Sequence, residues 1–305
     1  LDDQFHPNYT RMVPAHYITT IRIVGCPDPS PSYQRFVVPR PGLLPNDTDA
    51  IGRAYIGALS NEVGSWLRRL PAEAPVGVSF SGGIDSGAVF LVTAHAMRKL
   101  GLNLGRLKAF TLDAGDGPDL AQARAFLETA DMGLFLEPIE ADISAVDASE
   151  VIRITEDYKS LDVECATMGL ALLRGIRARY PDWRYLMDGD GGDENMKDYP
   201  IEENPELTIR SVVNNPLLYQ EGWGVGTMKH SLTYSGGLSR SYVRTYAPAR
   251  HFGFESFSPY TRPALVELAA SLPWDALTGY DTDRLYALKG EIVAAGVHAI
   301  TGTAM

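Results

Sequence analysis

From Val76 onward, strand-like and helix-like segments alternate, and this alternation constrains the fold more than any other feature of the chain. Apolar, partly β-branched runs stand at Val76–Phe80, Leu107–Leu112, Leu134–Pro138 and Arg184–Met187. Between them, helical spacing predicts helices from about Ser86 to Leu100, over 119–130, over roughly 143–159 and over 164–179, the last with Met168, Leu172, Leu173 and Ile176 as its apolar stripe. Strands separated by helices form βαβ units, so the expected core is a parallel twisted sheet with helices on both faces, an α/β fold. Ahead of it, residues 49–70 read as an amphipathic helix through Ile56, Leu59, Val63, Trp66, Leu67 and Leu70. The segments 17–24 and 32–38 read as a β-hairpin, followed by a proline-bounded linker over 39–45. The part after about residue 200 reads as mostly helical, with helices over 263–272 and 283–295 and a glycine- and aromatic-rich stretch, 219–234, that could serve as a lid. The expected division is residues 1–48 as hairpin and linker and 49–305 as the α/β domain.

Two loops carry the chemistry. The first, Ser81-Gly82-Gly83-Ile84-Asp85-Ser86, joins a strand to a helix. Adjacent glycines permit backbone angles that a Cβ forbids and let the main chain approach a ligand. Amides at a helix start point outward and carry partial positive charge, so the loop is an anion cradle suited to a phosphate chain. Asp85 would repel phosphate unless it held Mg²⁺ bridging the phosphates. Without a ligand, the same residues would be a strand–turn–helix corner capped by Asp85 and Ser86. The second loop, Asp188-Gly189-Asp190-Gly191-Gly192-Asp193-Glu194, alternates acids and glycines just after a strand. Its glycines let carboxylates converge on one point, and oxygen ligands suit Mg²⁺; its spacing is not that of an EF-hand, and a solvated acidic turn is the alternative.

Composition narrows the function classes. A formal net charge of −11 argues against nucleic acid as the main partner. Two cysteines, Cys26 and Cys165, make neither a disulfide framework nor a metal cluster and read as inert thiols. No apolar run is long enough for a transmembrane helix and no signal peptide opens the chain, so no membrane partner and a cytoplasmic location are the expectations.

The first loop resembles the pyrophosphate loop of the N-type ATP pyrophosphatases, and the order of motifs resembles the synthetase domain of the asparagine synthetases, over roughly residues 50–300. Asp188–Glu194 is similar to that family's Ser-Gly-Glu-Gly-Ser-Asp-Glu loop, and Glu255-Ser256-Phe257-Ser258-Pro259-Tyr260 to its Glu-Ala-Arg-Val-Pro-Phe segment. The resemblance implies an adenine nucleotide α-hydrolase-like fold and an AMP-forming amide ligase that uses ATP and Mg²⁺. A substrate carboxylate would be adenylated and then attacked by ammonia or an amine. It implies nucleotide and pyrophosphate contacts from Ser79, Phe80, Ser81, Gly82, Gly83, Asp85, Ser86, Leu112, Asp188 and Gly189. Metal ligation falls to Asp85 and Asp193, and catalytic roles fall to Asp190, Lys289 and Glu255.

Three departures matter. The sequence opens at Leu1 and does not include the family's glutaminase domain with its N-terminal cysteine nucleophile; residues 1–48 resemble only the end of one. Phe257 stands where the family has Arg, and Lys197-Asp198-Tyr199 stands where it has Gly-Gly-Tyr. A separate glutaminase subunit and a second copy of the chain are the candidate protein partners. Phe257 and the aromatic 219–234 stretch favour a bulkier acid than aspartate, as in a β-lactam-synthetase-like or natural-product amide ligase. A tRNA-thiolating enzyme shares the first loop but needs reactive cysteines and a basic surface. A non-catalytic nucleotide-binding subunit serving a separate glutaminase is the reading from another class.

Overall fold

Parallel strands buried on both faces need apolar residues at successive positions, and the strands of this chain have them. The computed structural model describes residues 16–23, 32–115, 117–157, 160–203, 207–221 and 242–305. Strands β3 (Val76–Ser79), β4 (Leu107–Asp113), β5 (Leu136–Glu140), β6 (Tyr185–Met187) and β7 (Glu255–Phe257) form a five-stranded sheet in the order β5-β4-β3-β6-β7, parallel at every pairing. A separate antiparallel pair, β1 (Tyr17–Thr20) with β2 (Ser32–Arg35), is the hairpin, in the register Tyr17↔Arg35. Its proline-rich turn lies outside the described residues, as does most of the 219–234 stretch expected as a lid.

Alternate strand residues sort onto two cores. Leu107, Ala109, Tyr185 and Met187 join the core built with α1 (Thr48–Leu67), α2 (Ile84–Lys99) and the last helix, α12 (Thr282–Thr301). Phe110, Leu112 and Leu186 join the opposite core with α4 (Ala148–Thr155) and α5 (Ser160–Arg179). A third helix, α3 (Asp119–Thr129), follows β4 and contributes the fully buried Ala123 and Leu127 to the first core. The expected α/β sheet with helices on both faces, N-terminal hairpin and helical C-terminal part is therefore the observed architecture.

Local differences have local causes. The predicted helix over 143–159 is split into a 3-10 turn, Ile143–Ala145, and α4. Asp147 caps α4 by accepting from the Ser149 amide at 3.0 Å, and Glu156 stops it in the left-handed region at φ 54°. The strand expected at Leu134 starts at Leu136, because pairing with β4 (Leu112↔Ile139) buries Ile139 while Leu134 projects into solvent. Strand β7 was not expected at all.

The sheet order places the site. The chain runs from β3 outward through β4 to β5, then returns to the other side of β3 for β6. That reversal makes a crevice beyond the C-terminal ends of β3 and β6, where ligands of open α/β sheets bind. Both glycine-bearing loops leave the sheet there.

Helix α12 reaches this crevice by lying unusually close to α1. A Cβ on Gly52 would stand 2.5 Å from the Ile292 carbonyl oxygen, and one on Gly296 would overlap the Gly52 carbonyl. Gly296→Val should therefore push the helices apart and cost about 1–3 kcal/mol of stability in urea unfolding. Gly290→Ala, on the open face of the same helix with nothing within 4 Å, should stabilise by a few tenths to about 1 kcal/mol. Equal effects of the two substitutions would refute the close approach.

Candidate active site

The first loop closes around one hydroxyl. Ser86 Oγ donates to the Gly83 carbonyl at 3.2 Å, accepts from the Ser81 amide at 3.3 Å and lies 3.3 Å from Ser81 Oγ. Gly82 takes φ 78°, and a Cβ there would meet the backbone of Ala123 at 2.5 Å, so the turn packs directly on α3. Gly83 is the N-cap of α2 and offers no side-chain cap, which leaves the first amides of a 16-residue helix facing the crevice. The strand end beneath is fixed by Thr111 Oγ1, which donates to the Phe80 carbonyl at 2.8 Å.

The second loop follows β6. Asp188 is buried and accepts from Ser258 Oγ at 2.9 Å, Ser256 Oγ at 3.3 Å and the Asp190 amide at 3.1 Å. Burial, then the Asp190 carboxylate, pushes its pKa well above the usual carboxylate range. Gly191 turns at φ 97°, and α6 (Gly192–Met196) begins against the first loop, where a Cβ on Gly192 would overlap the Asp85 carboxylate. Asn195 locks this helix by donating to Tyr55 Oη at 3.0 Å and the Tyr260 carbonyl at 2.9 Å. Asp190 accepts a hydrogen bond from Thr245 Oγ1.

Between the loops stands Lys289 of α12, 5% exposed. Its ammonium pairs with Asp85 Oδ2 at 2.7 Å, with Asp193 Oδ1 and with Asp198 Oδ2 at 3.0 Å. Burial opposes the charged lysine, but the Asp85 and Asp193 carboxylates outweigh it and hold its pKa above the ordinary value. Burial pushes the Asp85 carboxyl up to about 8 against the pull of Lys289, with Asp193 pushing the same way. Three carboxyl groups thus converge on one ammonium.

These walls enclose a cleft of about 410 Å³. Ser79, Phe80, Ser81, Asp85, Ser86 and Leu112 line it from β3, the first loop and β4. Asp188, Gly189, Asp190 and Asp193 line it from the second loop, and Cys165, Met168, Gly169 and Leu172 line it from α5. Gly82 and Gly83 shape the turn behind that lining. Met168, expected in the apolar stripe of α5, is 38% exposed on the cleft wall. Cys165 is a free thiol on the same wall, whereas Cys26 lies outside the described residues.

Glu255 is not brought to this cleft, and its expected catalytic place is corrected. It opens β7, and in a parallel strand the first residue lies at the edge opposite the crevice. There its Oε1 accepts from Arg184 Nε at 2.8 Å, beside a second cleft of about 680 Å³ that also borders Trp66, Arg177 and Arg250. Phe257 stacks on Trp66 with ring centroids 5.2 Å apart and belongs to the core, so it carries no information about the substrate. Sequence reasoning did not single out Thr245, Ser258 or Asp198, which act on the second loop or on Lys289 from segments remote in the chain.

The donors fit Mg²⁺. They are all oxygen, and Asp85 Oδ1 is buried without a hydrogen-bond partner. Among the described residues no three His, Cys, Asp or Glu side chains form a ready metal cage.

Behind the site, Lys197 takes φ 58° and is fully buried, donating to the carbonyls of Asn215 (2.9 Å) and Pro216 (3.2 Å) between the rings of Tyr219 and Trp274. Burial lowers its pKa to about 7. The unfolded chain therefore holds one more proton than the folded chain between about pH 7 and 10, and stability from this group should rise with pH across that window. The unfolding free energy of the wild type minus that of Lys197→Met should increase by up to about 1.4 kcal/mol per pH unit there. A flat difference would mean that the ammonium stays charged.

Comparison with known proteins identifies the family. The chain is 34% identical over 139 residues to the nodule glutamine-hydrolysing asparagine synthetase of Pisum sativum, a match spanning 44% of this chain and 23% of that protein. It is 27% identical over 236 residues to glutamine-hydrolysing asparagine synthetase 2 of Lotus japonicus, spanning 75% of this chain and 35% of that protein. It thus spans well under half the length of these relatives. Among solved structures, an NAD⁺ synthetase from Burkholderia pseudomallei aligns over 83% of this chain and 95% of its own at 16% identity, with a TM-score of 0.31. No described helix is long and apolar enough to cross a membrane. Residues 64–244, more than half of the chain, match the family described as Asparagine synthase, and the chain belongs to that family.

Proposed function

We propose that the chain is the AMP-forming, amide-making part of an asparagine-synthetase-type ligase, adenylating a carboxylic acid with MgATP and passing the acyl group to ammonia or an amine. The observation that carries this reading is the meeting of the two loops and Lys289 around one crevice at the strand-order reversal.

In the first step an oxygen of the substrate carboxylate bonds to the α-phosphorus, and the bond from that phosphorus to the bridging oxygen of the β-phosphate breaks. The charge that builds on the departing pyrophosphate falls to the hydroxyls of Ser81 and Ser86 and to the amides opening α2, donors already in position. Asp85 and Asp193 would hold Mg²⁺, which would supply charge neutralisation and orientation of the phosphates. Lys289 stabilises negative charge on the reacting acyl phosphate. In the second step nitrogen bonds to the acyl carbon, AMP leaves with the electron pair of the broken C–O bond, and Asp190 accepts the proton lost from nitrogen. Thr245 holds Asp190 in place through its hydrogen bond.

Release of pyrophosphate and AMP from ATP should depend on an added carboxylic acid. Asp190→Asn should slow amide formation by about 10²–10⁴-fold, the usual contribution of a general base, while slowing adenylation much less. Equal slowing of both steps would assign Asp190 to the first step instead. Release of ADP and phosphate would refute the reading. The nucleotide site, residues 49–305 as the catalytic unit, and a glutaminase chain or a second copy as partner all belong to this proposal.

A further inference from the structure

We infer that Asp198 is a positioning residue for this reaction, the carboxylate that keeps the Lys289 ammonium aimed at the cleft when Asp85 and Asp193 are engaged by other charges. The inference rests on the ligase reading and adds a residue to it.

The Lys289 ammonium forms ion pairs with three carboxylates, and donates its hydrogen bond to Asp193. Two of these, Asp85 and Asp193, belong to the lining of the cleft; Asp198 does not, and Lys289 meets the cleft through those two carboxylates rather than lining it. A dication arriving at the cleft with its phosphates therefore competes for two of the three partners. On a flexible four-carbon stem, a lysine that gives up two carboxylates for a phosphate oxygen keeps its direction only if the third still holds it. Asp198 Oδ2, 3.0 Å from Nζ, is the partner that such an arrival leaves in place.

The mount of Asp198 is rigid, as a positioning role requires. Its amide donates to the Asp193 carbonyl at 3.0 Å, so the carboxylate returns to the cluster one turn after Asp193 itself. The preceding residue makes the return possible. Lys197 closes α6 in the left-handed region, and its buried ammonium is tied to two carbonyls of the 215–216 turn. One lysine thus anchors the backbone that presents the carboxylate to the other.

The test compares Asp198→Asn and Asp198→Glu with the wild type. In pyrophosphate release, Asp198→Asn should lower kcat by about 10–100-fold with a much smaller change in the KM for ATP, and Asp198→Glu should restore part of the loss. In a Lys289→Gln background, Asp198→Asn should cause no further loss, since its effect runs through that lysine. An independent readout needs no nucleotide turnover. With Mg²⁺ present to engage Asp85 and Asp193, mass-spectrometric labelling with an amine-acylating reagent should modify Lys289 several-fold faster in Asp198→Asn than in wild type. The inference is overturned if Asp198→Asn leaves both kcat and labelling unchanged, or if its loss adds in full to that of Lys289→Gln. If the wild type releases no pyrophosphate with any acid, the ligase reading fails, and the labelling comparison still decides whether Asp198 seats the lysine.

Discussion

Asp85→Ala is expected to cut carboxylate-dependent pyrophosphate release by at least about 10²–10³-fold, the loss produced when one preorganised electrostatic group is removed from a reacting centre. The expectation follows from where Asp85 sits. It is the second residue of α2, its Oδ2 pairs with Lys289 at 2.7 Å, and its Oδ1 is buried without a partner. A carboxylate pushed up to about 8 by its surroundings is poorly suited to being charged there, and a bound dication removes that cost. The variant should fold, because alanine relieves a buried charge and retains helix propensity. It should also lose the thermal stabilisation that MgATP gives the wild type, since a ligand that binds only the folded chain raises its melting temperature by mass action. Full turnover in Asp85→Ala would remove the loop from the mechanism.

Lys289→Met is expected to have the largest effect on stability. Removing the ammonium leaves the Asp85, Asp193 and Asp198 carboxylates facing one another around an apolar side chain. Lys289 is buried and Asp85 mostly so, but Asp193 and Asp198 are partly solvated, so breaking the cluster costs about 2–4 kcal/mol, which for a chain of this size lowers Tm by about 4–12 °C. Two conditions should recover part of the loss. Magnesium chloride should raise Tm more in the variant than in the wild type, because the three carboxylates then have a cation. Lowering the pH through about 8 should do the same by protonating Asp85, whose carboxyl burial already pushes up. Adenylation should remain slow even where Tm has recovered, since magnesium replaces the charge of the lysine but not its reach. A Tm equal to that of the wild type, or one indifferent to magnesium, would show that the three pairs are not formed in solution.

The strand–loop–helix from Val76 to Lys99 was legible because each part carries its own local signal: a doubly buried strand, a glycine pair and an apolar helix. Once the sheet was read as parallel, the meeting of residues 81–86 with 188–194 followed, since loops after adjacent parallel strands share an edge. What stayed hidden depended on distant parts of the chain. Strand β7 has three residues, too few for any period to show. Glu255 was placed at the reacting centre by resemblance, but the direction of that strand puts its first residue at the other edge. Met168 has the spacing of a core residue, and spacing does not separate a core face from a cleft wall. Asp198 entered only within the Lys197-Asp198-Tyr199 run that stands where the family has Gly-Gly-Tyr. Its role appears only when α12 is brought against the cluster by the contact of Gly52 with Gly296, glycines 244 positions apart in the chain.

The most direct test of the account is a crystal structure of the chain with Mg²⁺ and α,β-methylene-ATP, an analogue that resists cleavage at the scissile position. The account predicts the β- and γ-phosphates on Ser81, Ser86 and the first amides of α2, and the metal between Asp85 and Asp193. Nucleotide bound instead in the arginine-bordered cleft beside Trp66 and Arg184, with the Ser81–Ser86 loop bare, would contradict it.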